Sequence, residues 1–216
     1  MKKKLQEYTL AKIKVMGVGG AGNNAVTRMY GNLPRGVELI AINTDVQDLN
    51  YTQARKKIHI GKNITRGLGT GMNPDLGRQA AEENRSEIAE VIKGADMVFI
   101  TAGFGGGTGS GAAPVVAEIS KEMGILTVAV VTKPFGFEGA KRRQIADEAA
   151  VKLRDRVDAM IVIPNDRIFS LIDKDTSLLK AFEAIDEVLK NAVQGITELI
   201  IAPGIVNVDF ADVKAI

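Results

Sequence analysis

The stretch Met97-Val98-Phe99-Ile100-Thr101-Ala102-Gly103-Phe104-Gly105-Gly106-Gly107-Thr108-Gly109-Ser110-Gly111 joins an apolar run to a glycine turn, and a helical pattern follows over residues 109–122. Strand, glycine turn and helix in that order make a cradle for phosphate. Glycines accept positive φ and let the backbone come close to a ligand. The helix start adds unpaired N–H groups and the positive end of its dipole. Thr108 and Ser110 contribute hydroxyl donors without bulk, while the lysine of a GxxxxGK[ST] P-loop is absent from the whole chain. On this reading Gly107 and Gly109 stay small for the ligand's approach, not for core packing.

Outward from that stretch, apolar β-rich runs recur at 13–18, 37–42, 58–60, 125–131 and 159–163, and helical periodicity occupies 21–30, 75–93 and 139–156. This alternation predicts a doubly wound, mostly parallel, Rossmann-like α/β sheet with helices on both faces. Ligands in such sheets sit at the carboxyl ends of the strands. From Leu178 onward, apolar residues at 178, 182, 185, 189, 192, 196 and 199 predict a long core helix at the C-terminal end. Asp175, Thr176 or Ser177 can cap its start and Pro203-Gly204 ends it. Its length is about 36 Å at ~1.5 Å per residue.

The 216 residues are 45% hydrophobic, enough for a sizeable core, and the net charge of +2 gives no reason to expect nucleic acid as a partner. Lys2, Lys3 and Lys4 read as a solvated basic tail over residues 1–10. No apolar h-region follows them, so a signal peptide is not expected. The run around Val128–Val131 is too short to cross a bilayer, so no direct membrane insertion is expected. The chain has no cysteine, which excludes disulfides and suits the cytoplasm, and its single histidine, His59, reads as structural.

A second glycine turn, Gly17-Val18-Gly19-Gly20-Ala21-Gly22-Asn23-Asn24, follows the first strand run and satisfies GxGxxG. Alone it suggests a dinucleotide-binding domain, with Asp45 as the acidic residue after the second strand. A third, Gly67-Leu68-Gly69-Thr70-Gly71-Met72-Asn73-Pro74, could by itself be an ordinary turn. Three such loops suit a chain of phosphates better than one pyrophosphate.

Taken in order, GVGGAGNN at 17–24, NTD at 43–45, GLGTGMNP at 67–74, GGGTGSG at 105–111, KPFGFEG at 133–139, PND at 164–166 and NVDFADV at 207–213 resemble the tubulin/FtsZ GTPase family in its bacterial-type cell-division branch. The resemblance spans nearly the whole chain. It implies a GTP-binding domain over 11–176, a long core helix over 177–201, and a catalytic loop over 202–216 that opens a second domain. It implies GTP or GDP with Mg²⁺ as the bound species. Phosphate contacts would come from Gly19, Gly20, Ala21, Gly22, Asn23 and Asn24, from Asn43, and from Gly103, Gly105, Gly106, Gly107, Thr108, Gly109 and Ser110. Thr70 and Gly71 would answer to the γ-phosphate; the family often has alanine where this chain has Thr70 and Met72.

Pro134 would be part of the GTP site, and Glu138 and Arg142 would contact the ribose, although these two, at i and i+4, also read as a plain ion pair at a helix start. Asn165 would contribute its amide. Asp186 would accept from N1–H and the exocyclic amine of guanine, and Phe182, one turn earlier, would stack on the base. On periodicity alone Phe182 belongs to the core.

Asp209 and Asp212 stand at the start of a further helical pattern, where carboxylates commonly cap. The resemblance instead makes Asn207, Asp209 and Asp212 the catalytic loop. That loop lies at least ~20 Å along the helix axis from Asp186. It would then serve a neighbouring subunit bound head to tail, as in an open filament. The expected function is therefore a GTP-hydrolysing protein that polymerises into a cytoplasmic ring at the division site. Division-ring and membrane-anchor proteins would be met through a C-terminal tail beyond Ile216. Two other readings stand beside it: a GTP-binding module with little turnover, and a dinucleotide-binding domain of an oxidoreductase.

Overall fold

The computed structural model describes residues 11–31, 33, 36–170 and 176–201. Six strands form one sheet: β1 (Ile13–Val18), β2 (Val37–Asn43), β3 (Lys56–His59), β4 (Met97–Gly103), β5 (Leu126–Lys133) and β6 (Ala159–Pro164). Their order is β3-β2-β1-β4-β5-β6 and every pairing is parallel. The helices are α1 (Gly19–Met29), α2 (Val46–Tyr51), α3 (Lys62–Thr65), α4 (Pro74–Glu83), α5 (Arg85–Ile92), α6 (Gly107–Glu122), α7 (Ala140–Arg154) and α8 (Leu178–Ile201).

The sheet is covered on both sides because its strands are apolar on both faces, as buried parallel strands must be. Met16, Val18, Val98, Ile100, Ala129 and Val131 join a core with Ile88, Val116, Ile119 and Leu153 from α5, α6 and α7. The alternate residues Val15, Met97, Phe99, Val128 and Val130 pack instead with Val26 and Met29 of α1 and Leu189 and Val193 of α8. The period-2 alternation thus assigns each strand residue to one helix layer. Strand order reverses between β1 and β4, and the glycine turns leave the carboxyl ends of these two neighbours. That is where open α/β sheets leave a crevice.

Several helix boundaries differ from expectation, α1 among them, which starts at Gly19, two residues before the expected 21. The helix predicted over 75–93 is two helices, broken at Asn84, whose Oδ1 accepts from Gly61 N at 2.9 Å and whose amide donates to Glu87 at 2.9 Å. The helix after the glycine turn starts at Gly107, two residues early, so Gly107 and Thr108 belong to its first turn. The helix predicted from 139 starts at Ala140, after a one-turn 3₁₀ segment at Gly136–Glu138. The long helix begins at Leu178 as expected, with Ser177 Oγ accepting from Lys180 N. Its predicted stop, the basic tail over 1–10 and the loop over 202–216 lie outside the described residues.

Candidate functional site

A cleft of about 660 Å³ opens where β1 and β4 end, a size that suits a small-molecule site. Gly20, Ala21 and Asn24 reach it from α1, and Gly103, Gly106, Gly107, Thr108 and Gly109 from the β4–α6 turn. Thr70 and Gly71 come from the third loop, and Asn43 from the end of β2. Pro134, Glu138, Arg142, Asn165, Phe182 and Asp186 complete the far side. Gly19, Gly22, Asn23, Gly105 and Ser110 do not line it.

The helix termini give the cleft its chemistry. Both α1 and α6 begin with no side-chain cap and no acidic residue in the first turn. By contrast, Asp45 caps α2 by accepting from Gln47 N and Asp48 N, and Asn73 caps α4 by accepting from Leu76 N. At α1 and α6 the first-turn N–H groups have no side-chain acceptor, although Gly107 N is used by Gly71 O, and α7 also starts uncapped after Gly139; an anion is what an uncapped N-terminus favours.

The loops are held to one another by hydroxyls and backbone. Thr108 Oγ1 lies 2.7 Å from Thr44 Oγ1 and 2.9 Å from Thr70 Oγ1, and all three threonines are buried. Gly107 N donates to Gly71 O at 2.7 Å. Ser110 Oγ accepts from Gly105 N at 3.0 Å beneath the turn, so its hydroxyl shapes the loop from behind. Asn43 is also occupied: its Oδ1 accepts from Thr44 N and Asp45 N, and its Nδ2 donates to Asp48 Oδ2 at 2.6 Å. Asn23, within α1, is fully buried, and neither amide atom has a hydrogen bond of normal geometry among the described residues.

The glycines divide in a way the sequence reading does not anticipate. A Cβ on Gly107 would meet Thr70 Oγ1, with Asn73 O at 2.7 Å and Gly71 O at 2.8 Å; one on Gly109 would meet Gly103 O at 2.6 Å. These two glycines are required by protein packing, which corrects the expectation that only a ligand demands them. Gly106 is different. Nothing lies within 4 Å of a Cβ there, its φ of −96° suits any residue, and it borders the cleft.

At the opposite end, Asp186 is 8% exposed and its Oδ2 accepts from Arg28 Nε at 2.9 Å. Burial pushes its carboxyl up; Arg28 opposes that, while Glu183 and Glu187 add to it. Asn165 is buried and its Oδ1 has no partner among the described residues. Phe182 is 39% exposed at the mouth, not in the core as its periodicity alone suggests. Its ring meets Phe135 edge-on at 5.4 Å, and Phe135 stacks on Phe137 at 5.0 Å. Glu138 ends the 3₁₀ turn instead of opening a helix; it accepts from Phe135 N and from Arg142 at 3.1 Å. The ion pair therefore exists, and both partners still border the cleft.

Sequence reasoning gave no role to Thr44, the middle residue of the NTD motif, or to Asp48 and Arg28, which lie in no motif. Asp45, read as a possible ribose ligand of a dinucleotide, is committed to capping α2. Asp48 lines the cleft beside it, and burial together with Asp45 raises its carboxyl above the ordinary range. Asn207, Asp209 and Asp212 lie outside the described residues.

Residues 12–173 match the Tubulin/FtsZ family, GTPase domain. The chain is 58% identical over 206 residues to the cell division protein FtsZ of Pseudomonas aeruginosa, covering 95% of this chain and 52% of that protein. Among solved structures, an empty FtsZ dimer of M. jannaschii superposes with a TM-score of 0.91 at 54% identity, covering 97% of this chain and 61% of the other. A GTPγS-bound protofilament of CetZ2 from Haloferax volcanii gives 0.80 at 25% identity, covering 91% and 60%. The chain thus spans about half the length of the curated relative it matches.

Proposed function

This chain belongs to the tubulin/FtsZ family of GTPase domains, and on that premise we propose that it binds GTP in the cleft at the ends of β1 and β4 as the nucleotide-binding part of a polymerising cell-division GTPase. The observation that carries the reading is the meeting of two uncapped helix starts, α1 and α6, in one cleft whose far end holds a buried carboxylate. The phosphates take the N–H groups. Asp186 accepts from the two adjacent donors of guanine, an arrangement adenine lacks, and Phe182 covers the base. Asn165 Oδ1, buried and without a partner among the described residues, can accept from a ligand donor at the cleft wall.

Charge explains how a triphosphate is tolerated. The charged side chains bordering the cleft are Asp45, Asp48, Glu138 and Asp186 against Arg142. The bound anion therefore gains from a cation that enters with it. Mg²⁺ entering with the nucleotide would supply that neutralisation, and since the described residues form no cluster of three or more metal-ligating side chains, it would be held chiefly by the nucleotide.

Hydrolysis is assigned to Asn207, Asp209 and Asp212 of a neighbouring copy. α8 runs on for fifteen residues from Asp186 to Ile201, about 22 Å of helix, before that loop begins. Head-to-tail stacking brings one copy's loop to the next copy's nucleotide. Exposed Leu68 and Met72 in the third loop and Phe137 beside the mouth offer apolar surface for that contact. Recruitment to the division site through ring and membrane-anchor proteins belongs to the same reading.

Calorimetric titration with GTP, ATP and NAD tests it. GTP should bind most tightly, and Asp186→Ala should narrow the gap to ATP by about 1–3 kcal/mol, the cost of one lost buried polar pairing. Equal affinities, or NAD bound in preference, would overturn the assignment.

A further inference from the structure

Arg28 stands outside every motif of the chain, yet it links the two ends of the cleft. It sits in the last turn of α1, the helix whose first turn borders the phosphate end. Its Nε donates to Asp186 Oδ2 at 2.9 Å, and its Nη2 lies 3.6 Å from Glu183 Oε1. The charges around Asp186 are this guanidinium from α1 and Glu183 and Glu187 from α8 itself. We propose that Arg28 is a specificity-setting positioning residue: by donating to Asp186 Oδ2 it keeps that carboxylate an acceptor, so the site selects a base presenting two adjacent donors.

The inference rests on the assignment of Asp186 to the base, and the physical argument follows from what a carboxyl can offer. Ionised, it only accepts; protonated, one oxygen becomes a donor and opposes an N–H of the base. Burial and the two glutamates favour the protonated form, and Arg28 is the nearby group that favours the charged one. Binding a base removes more water from the carboxylate and sharpens the demand for its partner. Arg28 thus acts on the nucleotide through Asp186 and through the orientation its Nε–H imposes.

The test is GDP affinity by calorimetry between about pH 8 and pH 5.5 for wild type, Arg28→Met, Arg28→Lys and Asp186→Asn, with ADP as the comparison and circular dichroism to check the fold. Wild type should show with GDP only the pH dependence it shows with ADP, set by the terminal phosphate, whose second pKa is about 6. Arg28→Met should approach wild-type affinity for GDP at the alkaline end and lose about tenfold more than wild type toward the acid end, as Asp186 takes up a proton. Arg28→Lys should restore most of the wild-type profile. ADP binding should not show the added loss. Arg28→Met that weakens GDP and ADP alike at every pH, or that changes nothing, would overturn the proposal and leave Arg28 as a packing residue. If Asp186→Asn leaves GDP affinity intact, the base assignment falls and the proposal falls with it.

Discussion

What a methyl group would meet separates the glycines of the site more sharply than their motif does. Gly107 and Gly109 sit against backbone oxygens of neighbouring loops, whereas Gly106 faces open cleft. Gly106→Val should therefore leave the melting temperature nearly unchanged and weaken GTP binding by about tenfold or more, since its side chain occupies ligand space. Gly109→Ala should instead cost about 1–3 kcal/mol of stability in urea denaturation, because the loop must move to admit Cβ. Asp48 allows a second residue-scale prediction. Burial and Asp45 raise its carboxyl, so its ionisation in the folded chain opposes stability at neutral pH. That penalty fades as pH falls through the raised value. Asp48→Asn should consequently be more stable than wild type at about pH 7.5, with the difference shrinking toward pH 4 in thermal melts. Neither Asp48 nor Arg28 was legible in the sequence, because an isolated charge on a helix carries no period or spacing that points to a partner. Asp186 was legible only through family resemblance, since an acidic residue on a long helix is ordinarily solvated.

Helices and strands were read well where the pattern was long. The six apolar runs all became strands; the four inner ones carry the continuous apolar signature of two-sided burial, while the edge strands β3 and β6 are only partly buried. α2 and α3 were missed: six and four residues are too few for a 3.6-residue period to declare itself. What holds α2 is the Asp45 cap, a side-chain-to-backbone contact that hydrophobic periodicity cannot register. The break at Asn84 has the same origin. Apolar spacing runs on through residues 75–93, but Asn84 accepts from Gly61 N, at the turn where β3 hands over to α3, and so fixes the joint between α4 and α5. Asn84→Ala should cost about 1–2 kcal/mol in urea denaturation by stranding that N–H, while Asn84→Asp, which keeps the acceptor, should retain most of it. Equal losses from the two variants would mean that the joint depends on backbone shape alone.

For the molecule as a whole, strand order does not choose between the readings the sequence left open. The order β3-β2-β1-β4-β5-β6 is shared by dinucleotide-binding sheets, so the decision rests with the site. There the second uncapped helix start at α6 and the diversion of Asp45 to capping favour a phosphate chain over a dinucleotide. On the proposed reading hydrolysis is unfinished within one copy. The carboxylate proposed to read the base and the acidic loop are separated in the chain by the last four turns of α8, a spacer with Leu189 and Val193 locked into the core. With about 22 Å of helix between them, the proposed mechanism has the loop's carboxylates act on the next copy in a stack. Assayed in a full-length polypeptide, Asp212→Ala should keep GTP affinity and lose at least about tenfold in hydrolysis, as removal of one group acting only in the transition state requires. Mixed with wild type, it should depress turnover below the simple average, because each contact pairs one copy's loop with another's nucleotide. Wild-type turnover should rise faster than linearly with protein concentration over the range where contacts form. Turnover strictly proportional to concentration, with mixtures that follow the average, would mean that each copy completes its own site, and the head-to-tail mechanism would be wrong.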